Sequence, residues 1–191
     1  MRLLSLALLV AFALPAAHAQ IVPSLDIGVA GGVNFASLSD AGADGLDAST
    51  GYHIGAFADI GVLFFSARTG LYYFRAGEIP NAGAGGQPGT VSFVTIPVDF
   101  QFQTPTPIVK AYALVGPEFR FPLNGIDTFE TEAVNYAVNV GAGVKGSVPV
   151  AGYGGFLELR YAYDLTGING TAALGNDYKV NLFMIRAGIG L

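Results

Sequence analysis

The sequence predicts an all-β fold, an eight-stranded antiparallel up-and-down transmembrane β-barrel, on three observations. Only 12% of the residues are charged, whereas 52% are hydrophobic. Beyond residue 19, no apolar run approaches the roughly 20 residues that a membrane helix needs. Polar and apolar residues instead alternate with period two. A closed barrel is the structure that shows an apolar face to lipid while every backbone N–H and C=O is paired.

The first residues have the three parts of a secretory signal peptide. Arg2 supplies a positive charge, and residues 3–14 are apolar apart from one serine. Ala17 and Ala19 place small residues at the two positions that a signal peptidase reads. An apolar run of this length is too short to span a bilayer of about 30 Å, so a retained anchor is disfavoured.

We therefore expect Sec-type export, with cleavage between Ala19 and Gln20. The predicted domains are a signal peptide, 1–19, and an outer-membrane β-barrel domain, 20–191. The chain contains no cysteine. It therefore has no site for a lipid-modified N-terminus and no disulfides, although an exported protein could form them.

The clearest alternation runs from residue 134 to residue 148. Its even positions are mostly valine, with Tyr136, whereas its odd positions include Asn135, Asn139 and Lys145. Period two over this length predicts a tilted strand that crosses a membrane. Residues 25–34, 157–164 and 183–191 alternate in the same way.

Eight such segments are present, and their connections alternate in length. The predicted strands are 24–36, 50–62, 64–77, 90–103, 108–123, 134–148, 153–165 and 177–191. The long connections are 37–49, 78–89, 124–133 and 166–176, and the three short ones lie near residues 62–63, 104–107 and 149–152. This pattern predicts an up-and-down barrel with short periplasmic turns and long outer loops. Pro97 and Pro117 interrupt predicted strands, so we expect a bulge or a local break of the ladder at each.

Four segments resemble a known family of barrels. They are residues 69–77 (TGLYYFRAG), 94–100 (VTIPVDF), 115–118 (VGPE) and 159–168 (LRYAYDLTGI). In this order they resemble the PorT-like outer-membrane β-barrel family common in Bacteroidota, and the small OmpX-like barrels. The resemblance covers the chain beyond the signal peptide. It implies the barrel fold and a place in the cell envelope, with the barrel-assembly machinery as a partner during biogenesis.

The odd or even position of a residue along its strand (its parity) predicts whether its side chain points into the barrel or out of it. The inward set is Asp59, Arg68, Asp99, Glu118, Arg120, Lys145, Glu158, Arg160 and Arg186. Its four acids and five bases nearly cancel, as expected for a narrow lumen filled by paired side chains. A soluble lipocalin-like barrel would instead carry many charges on its exterior. Counting from the short turns predicts two ion-pair clusters, one of Asp59, Arg68 and Asp99 and one of Lys145, Glu158 and Arg186.

The remaining acidic residues fall in or beside the long loops. They are Asp40, Asp44, Asp47, Glu78, Asp127, Glu130, Glu132 and Asp177. Removal of residues 1–19 leaves eight basic and 14 acidic residues, a net charge of −6. This balance argues against a nucleic-acid partner, which requires basic patches. The first three acids lack EF-hand spacing, so a solvated loop is favoured over a Ca²⁺ site, and we expect neither metal nor cofactor. Arg75 and Lys179 have outward parity near the outer rim, where lipid and lipopolysaccharide phosphates would be within reach.

Three functional classes remain open. The first is a structural or surface-interaction protein that contacts an envelope or surface partner through its acidic loops, and it is favoured by elimination. The second is a narrow pore or accessory subunit of a transport or secretion system, disfavoured because eight strands enclose room only for side chains. The third is a lipid A-modifying enzyme, which needs a histidine beside a serine or carboxylate. His53, close in sequence to Asp47 and Ser49, is the one candidate beyond residue 19, and a packing role is favoured, so we expect no catalysis.

Overall fold

The computed structural model describes residues 23–39, 49–79, 89–106, 108–123, 134–148, 152–166, 168–169 and 177–191. The predicted signal peptide and most of the long loops lie outside these residues. The strands are β1 (Ser24–Ser39), β2 (Ser49–Val62), β3 (Phe65–Ile79), β4 (Gly89–Gln103), β5 (Val109–Pro122), β6 (Asn135–Val148), β7 (Tyr153–Asp164), β8 (Ile168–Asn169) and β9 (Asp177–Gly190). The described parts of the chain contain no helix that is long and apolar enough to cross a membrane.

The eight long strands form one closed antiparallel sheet. Each long strand pairs with the next along the chain, with β7 pairing to β9, and β9 also pairs with β1. The predicted fold is therefore confirmed, and the predicted strand ends agree with the observed ones to within three residues. The predicted loop 166–176 differs from the structure because it contains a short strand, β8. The two residues of β8 pair with Tyr178 and Asp177 at the start of β9. Part of the connection 166–176 is thus a short hairpin.

The strands are tilted steeply to the barrel axis. One ring of successively paired residues runs from Leu25 through Ile60, Ala67, Phe100, Val115, Val140, Tyr161 and Phe183 to Phe35. The ring leaves β1 at residue 25 and returns to β1 at residue 35. A stagger of ten residues over eight strands corresponds to a tilt of about 40°.

The period-two pattern sorts the side chains into an apolar exterior and a mixed interior. On β7, Leu157, Leu159 and Tyr161 are exposed, whereas Glu158 and Arg160 between them are buried. Aromatic residues lie near both ends of the exterior, and Tyr153 and Tyr163 stand at the two ends of β7. Each strand residue rises about 3.3 Å, so ten residues of a strand at this tilt span a height of about 25 Å. This is the height of the apolar band of a transmembrane barrel.

The two prolines coincide with a break in the ladder between β4 and β5. Pairing is continuous up to Pro97 and Glu118 and resumes at Phe100 and Val115, without a change of register. The predicted local break is confirmed here, because Pro117 has no N–H to donate. Pairing of β3 with β4 is also interrupted beside Pro97, whose carbonyl oxygen accepts a hydrogen bond from Thr69 Oγ1 at 2.9 Å.

Candidate functional site

The lumen gathers the charged side chains that the sequence places inside the barrel. Eight of the nine predicted residues are buried, and the ninth, Lys145, keeps 18% of its side chain exposed. The described lumen also contains Asp164, which the predicted set omits although it shares the parity of Glu158 and Arg160. With Asp164 included, these inward residues comprise five acids and five bases. The formal charges of these ten inward residues therefore sum to zero.

Glu158 is the centre of the largest polar network. Its Oε2 accepts hydrogen bonds from Arg68 Nη1 at 3.2 Å and from the Tyr112 hydroxyl at 2.9 Å. Its Oε1 accepts a hydrogen bond from Arg160 Nε at 2.8 Å, and Arg186 Nη1 lies 4.0 Å from the same oxygen. Buried charges are tolerated when they are paired and hydrogen-bonded in this way.

The network extends from Glu158 in two directions. Towards the short-turn end of the barrel (the turn end), Arg68 Nη2 pairs with Asp59 Oδ2 at 2.9 Å, and Lys145 Nζ lies 3.4 Å from the same oxygen. In the other direction, Arg160 donates to both oxygens of Asp99, at 3.2 and 2.6 Å. The bidentate contact is the strongest geometry available to an arginine and a carboxylate.

The two predicted clusters are confirmed in part. Arg68 pairs with Asp59, and Arg186 lies 4.0 Å from Glu158. The division of these residues into two clusters is wrong. Arg68 on β3 joins the predicted groups by bonding to Glu158 on β7, and Lys145 on β6 pairs with Asp59 on β2. In both cases the partners stand on opposite walls of the barrel. Asp99 lies opposite Arg68 in the register of β3 and β4, but its carboxylate binds Arg160 instead. Counting depth along neighbouring strands cannot find such partners, because a narrow lumen lets long side chains meet across it.

A second polar group lies nearer the long loops (the loop end). Glu118 accepts hydrogen bonds from Arg120 Nε at 2.8 Å and from Asn139 Nδ2 at 3.0 Å. Arg120 Nη1 donates to the Val180 carbonyl at 2.9 Å and lies 3.9 Å from Asp164. Asp164 in turn accepts the backbone N–H of Val180 at 3.0 Å. These contacts link β5, β6, β7 and β9 across the interior.

Aromatic side chains close the lumen around Arg68. The guanidinium carbon lies 4.1 Å from the ring centre of Phe156, 5.2 Å from that of Phe57 and 5.6 Å from that of Tyr112. Such cation–π contacts contribute most where the cation is desolvated, as Arg68 is. Parity alone could have placed Tyr112 inside, because it shares the parity of Glu118 and Arg120 on β5. The layer leaves little cross-section for a channel.

His53 contacts Phe74 and Arg186 in the described lumen. Its ring stacks on Phe74 with the centroids 4.8 Å apart, and its Nε2 accepts a hydrogen bond from Arg186 Nε at 3.1 Å. Its Nδ1 has no hydrogen-bond partner among the described residues. Asp47, one of its sequence neighbours, lies outside the described residues.

The predicted acidic loops contribute little to the described structure. Glu78 and Asp177 fall within β3 and β9, and the other six loop acids, Asp40, Asp44, Asp47, Asp127, Glu130 and Glu132, lie outside the described residues. Within the described residues, no group of three His, Cys, Asp or Glu side chains is placed to hold a metal ion.

Comparison of the structure with solved ones identifies the type of barrel. The chain is similar to Neisserial surface protein A (NspA), with a TM-score of 0.59 at 13% sequence identity over 89% of this chain and 98% of NspA. The fold is that of a transmembrane β-barrel. Ail, the attachment invasion locus protein of Yersinia pestis, aligns at 14% identity, alone with a TM-score of 0.49 and in complex with the heparin analogue sucrose octasulfate with 0.50. These alignments cover 87% and 88% of this chain and 98% and 99% of Ail. No family model and no curated protein sequence matches the chain.

Proposed function

We propose that the chain is a small outer-membrane β-barrel that is exported by the Sec route and acts at the cell surface through its acidic loops. The observation that carries this proposal is the filled lumen, in which charged and aromatic side chains contact one another across the barrel. Because the interior is occupied and the exterior faces lipid, the loops remain free for recognition. Loops on a rigid scaffold are where binding residues concentrate.

The charges of the loops favour a basic partner. Connections 37–49, 78–89 and 124–133 contain seven acidic residues and no lysine or arginine, and 166–176 contains no charged residue. Like charges across an interface are costly, so such loops disfavour nucleic acids and sulfated glycans. This is a contrast with Ail, which has been crystallised with a heparin analogue. We therefore propose a basic envelope or surface protein as the partner.

The rim of the barrel would meet lipid. Arg75 and Lys179 lie half-buried towards the loop ends of β3 and β9. Long basic side chains at that level can extend to the phosphates of lipopolysaccharide while their stems cover apolar surface. We propose this contact as an anchor for the barrel and not as a specific binding site. The Sec machinery and the barrel-assembly machinery are proposed as partners during biogenesis only.

Membership of the PorT-like family of Bacteroidota is also a proposal. The four resembling segments occupy β3, β4, β5 and the stretch from β7 to β8. They contain Pro97 and Pro117, which lie at the break in the ladder between β4 and β5, and the buried Arg160. The resemblance is thus one of framework, which supports a shared type of barrel without assigning a ligand.

The experiment that tests the surface role compares two probes on the barrel in lipid nanodiscs. Polylysine should bind, and its affinity should fall steeply as salt is raised, whereas heparin should not bind. Changing Asp127 to Asn and Glu130 and Glu132 to Gln should weaken polylysine binding severalfold. As a matched control, Asp99→Asn removes one acid that is buried inside the barrel and should leave binding of this probe unchanged. Heparin binding as tight as that of polylysine would contradict the proposal.

A conductance measurement separates the surface role from the pore. Planar-bilayer recordings of the intact protein should show no stable single-channel steps. Shortening the four long loops to Asn-Gly turns should preserve heat-modifiable migration on gels, because shorter loops cost less to close. Such a variant should fail to restore a surface phenotype lost in a deletion strain. Steps that appear in the intact protein and change with Arg160→Met would favour the pore.

A further inference from the structure

The barrel contains a pocket at its turn end that the surface role does not use. Its volume is about 270 Å³, and its lining includes Ser24, Gln103, Tyr153 and Phe156. Small-molecule sites usually begin at about 300 Å³, so this pocket suits a ligand of amino-acid or dipeptide size. Arg68 and the rings that stack on it lie at the inner end of the pocket, which is therefore a recess and not the mouth of a channel.

Charges of opposite sign line opposite walls of this pocket. Asp26 and Asp59 are paired residues on β1 and β2, and Lys110 and Lys145 are paired residues on β5 and β6. In an eight-stranded barrel these two strand pairs face each other. Lys145 Nζ already lies 3.4 Å from Asp59 Oδ2. Asp26 and Lys110 have no ion-pair partner among the described residues and are left to interact with a ligand.

Two buried acceptors in the pocket also lack partners. Asp59 Oδ1 and Gln103 Oε1 receive no hydrogen bond from any described residue, and their side chains are almost completely buried. Both oxygens are themselves closed to solvent, so a ligand in the pocket meets other atoms of these two side chains. Both atoms lie in residues that line the same pocket as Asp26. Among the described residues of this wall, Asp26 presents the exposed carboxylate that a ligand ammonium group can reach.

We propose that this pocket binds a small zwitterion of amino-acid or dipeptide size. The ammonium group is held by Asp26, and the carboxylate is held by Lys110 on the opposite wall. The absence of a side chain at Gly154, in the lining, leaves space for the ligand backbone. The ligand enters from the turn end, which the proposed location puts in the periplasm.

The test is a titration of the barrel in nanodiscs with diglycine, followed by amide chemical shifts. The shifts of Gly154 and Gly190 should move and saturate, and that of Gly51 near the loop end should not. N-acetyl-diglycine, which lacks the ammonium group, and diglycine amide, which lacks the carboxylate, should each bind at least about tenfold more weakly. Free glycine and a D-alanyl-D-alanine dipeptide distinguish an amino acid from a cell-wall peptide as the source.

Single substitutions test which side chain binds each charged group of the ligand. Asp26→Asn and Lys110→Met should each weaken diglycine binding at least about tenfold, whereas Arg75→Met at the far rim should leave it unchanged. Neither variant removes a buried ion pair, so heat-modifiable migration should persist. Gly154→Leu fills the pocket without touching a charge, because a Cβ there meets nothing closer than 3.4 Å, and it should abolish binding. Absence of saturable shifts with the intact protein, or equal binding of diglycine amide, would overturn the proposal. Loss of polylysine binding would not bear on it.

Discussion

Glu158→Gln is the sharpest test of the lumen network. The substitution keeps the size of the side chain but removes the charge that faces Arg68 and Arg160, at 3.2 and 2.8 Å. The new amide NH₂ also points a donor at groups that are themselves donors. A charge-assisted hydrogen bond is worth about 1.5–3 kcal/mol, so losing two costs about 3–6 kcal/mol.

The remaining contacts of the neighbouring arginines set the expected value. Arg68 keeps Asp59, and Arg160 keeps both oxygens of Asp99. Arg186, whose Nη1 lies 4.0 Å from Glu158, keeps no carboxylate partner among the described residues, and an unpaired buried charge costs about 3–5 kcal/mol by itself. We therefore expect Glu158→Gln to lower the free energy of unfolding by about 5 kcal/mol, towards the upper end of that range. This corresponds to a factor of about four thousand in the folding equilibrium.

The assay is reversible urea unfolding of the barrel in lipid vesicles. The chain has no tryptophan, so circular dichroism and heat-modifiable migration report the transition. Glu130→Gln makes the same chemical change in a predicted loop and should cost less than about 0.5 kcal/mol. A double-mutant cycle with Arg68→Met should give a larger coupling energy with Glu158→Gln than with Asp99→Asn. Equal effects of Glu158→Gln and Glu130→Gln would refute the network as a source of stability.

Two further predictions concern orientation and processing. Val140→Arg should destabilise the barrel by about 2–4 kcal/mol, because residue 140 is half-exposed on the apolar exterior near the middle of the band. Asn139→Ala, one residue away, removes a charge-assisted hydrogen bond to Glu118 and should cost about 1.5 kcal/mol in the same refolding titration, and equal effects would mean that the faces are misassigned. Intact-mass analysis of the protein from outer membranes should give a chain that begins at Gln20, and a mass that includes the preceding residues would contradict cleavage there.

The architecture could be predicted because one physical constraint governs every strand. A strand between lipid and a narrow lumen must alternate, so parity alone places Val140 outside and Asn139 inside, as observed. The same constraint predicts the break between β4 and β5, because a closed barrel has no edge strand to receive Pro117. The short β8 hairpin was not predictable in this way, since a loop at the rim is under neither constraint.

Partner choice inside the lumen could not be predicted, because it depends on distances that the sequence does not contain. Parity identifies the inward residues, and counting from the turns gives their depth, but neither says how far a side chain reaches across the barrel. Lys145 pairs with Asp59 on the opposite wall. Arg68 pairs both with Asp59 on the adjacent strand and with Glu158 across the barrel. The stagger of ten residues displaces each strand along the axis relative to the next, so residues at equal count from the turns are not at equal depth.

The distribution of charge gives the two ends of the barrel different capacities. The five acids and five bases of the described interior carry no net charge together. Asp26 and Lys110 lie at the turn end, and the sequence predicts that most of the remaining acids belong to the long loops. At mid-depth, Arg160 pairs with both Asp99 and Glu158. Side chains that pair with one another across the lumen fill the interior, and this supports the proposed surface role over the pore.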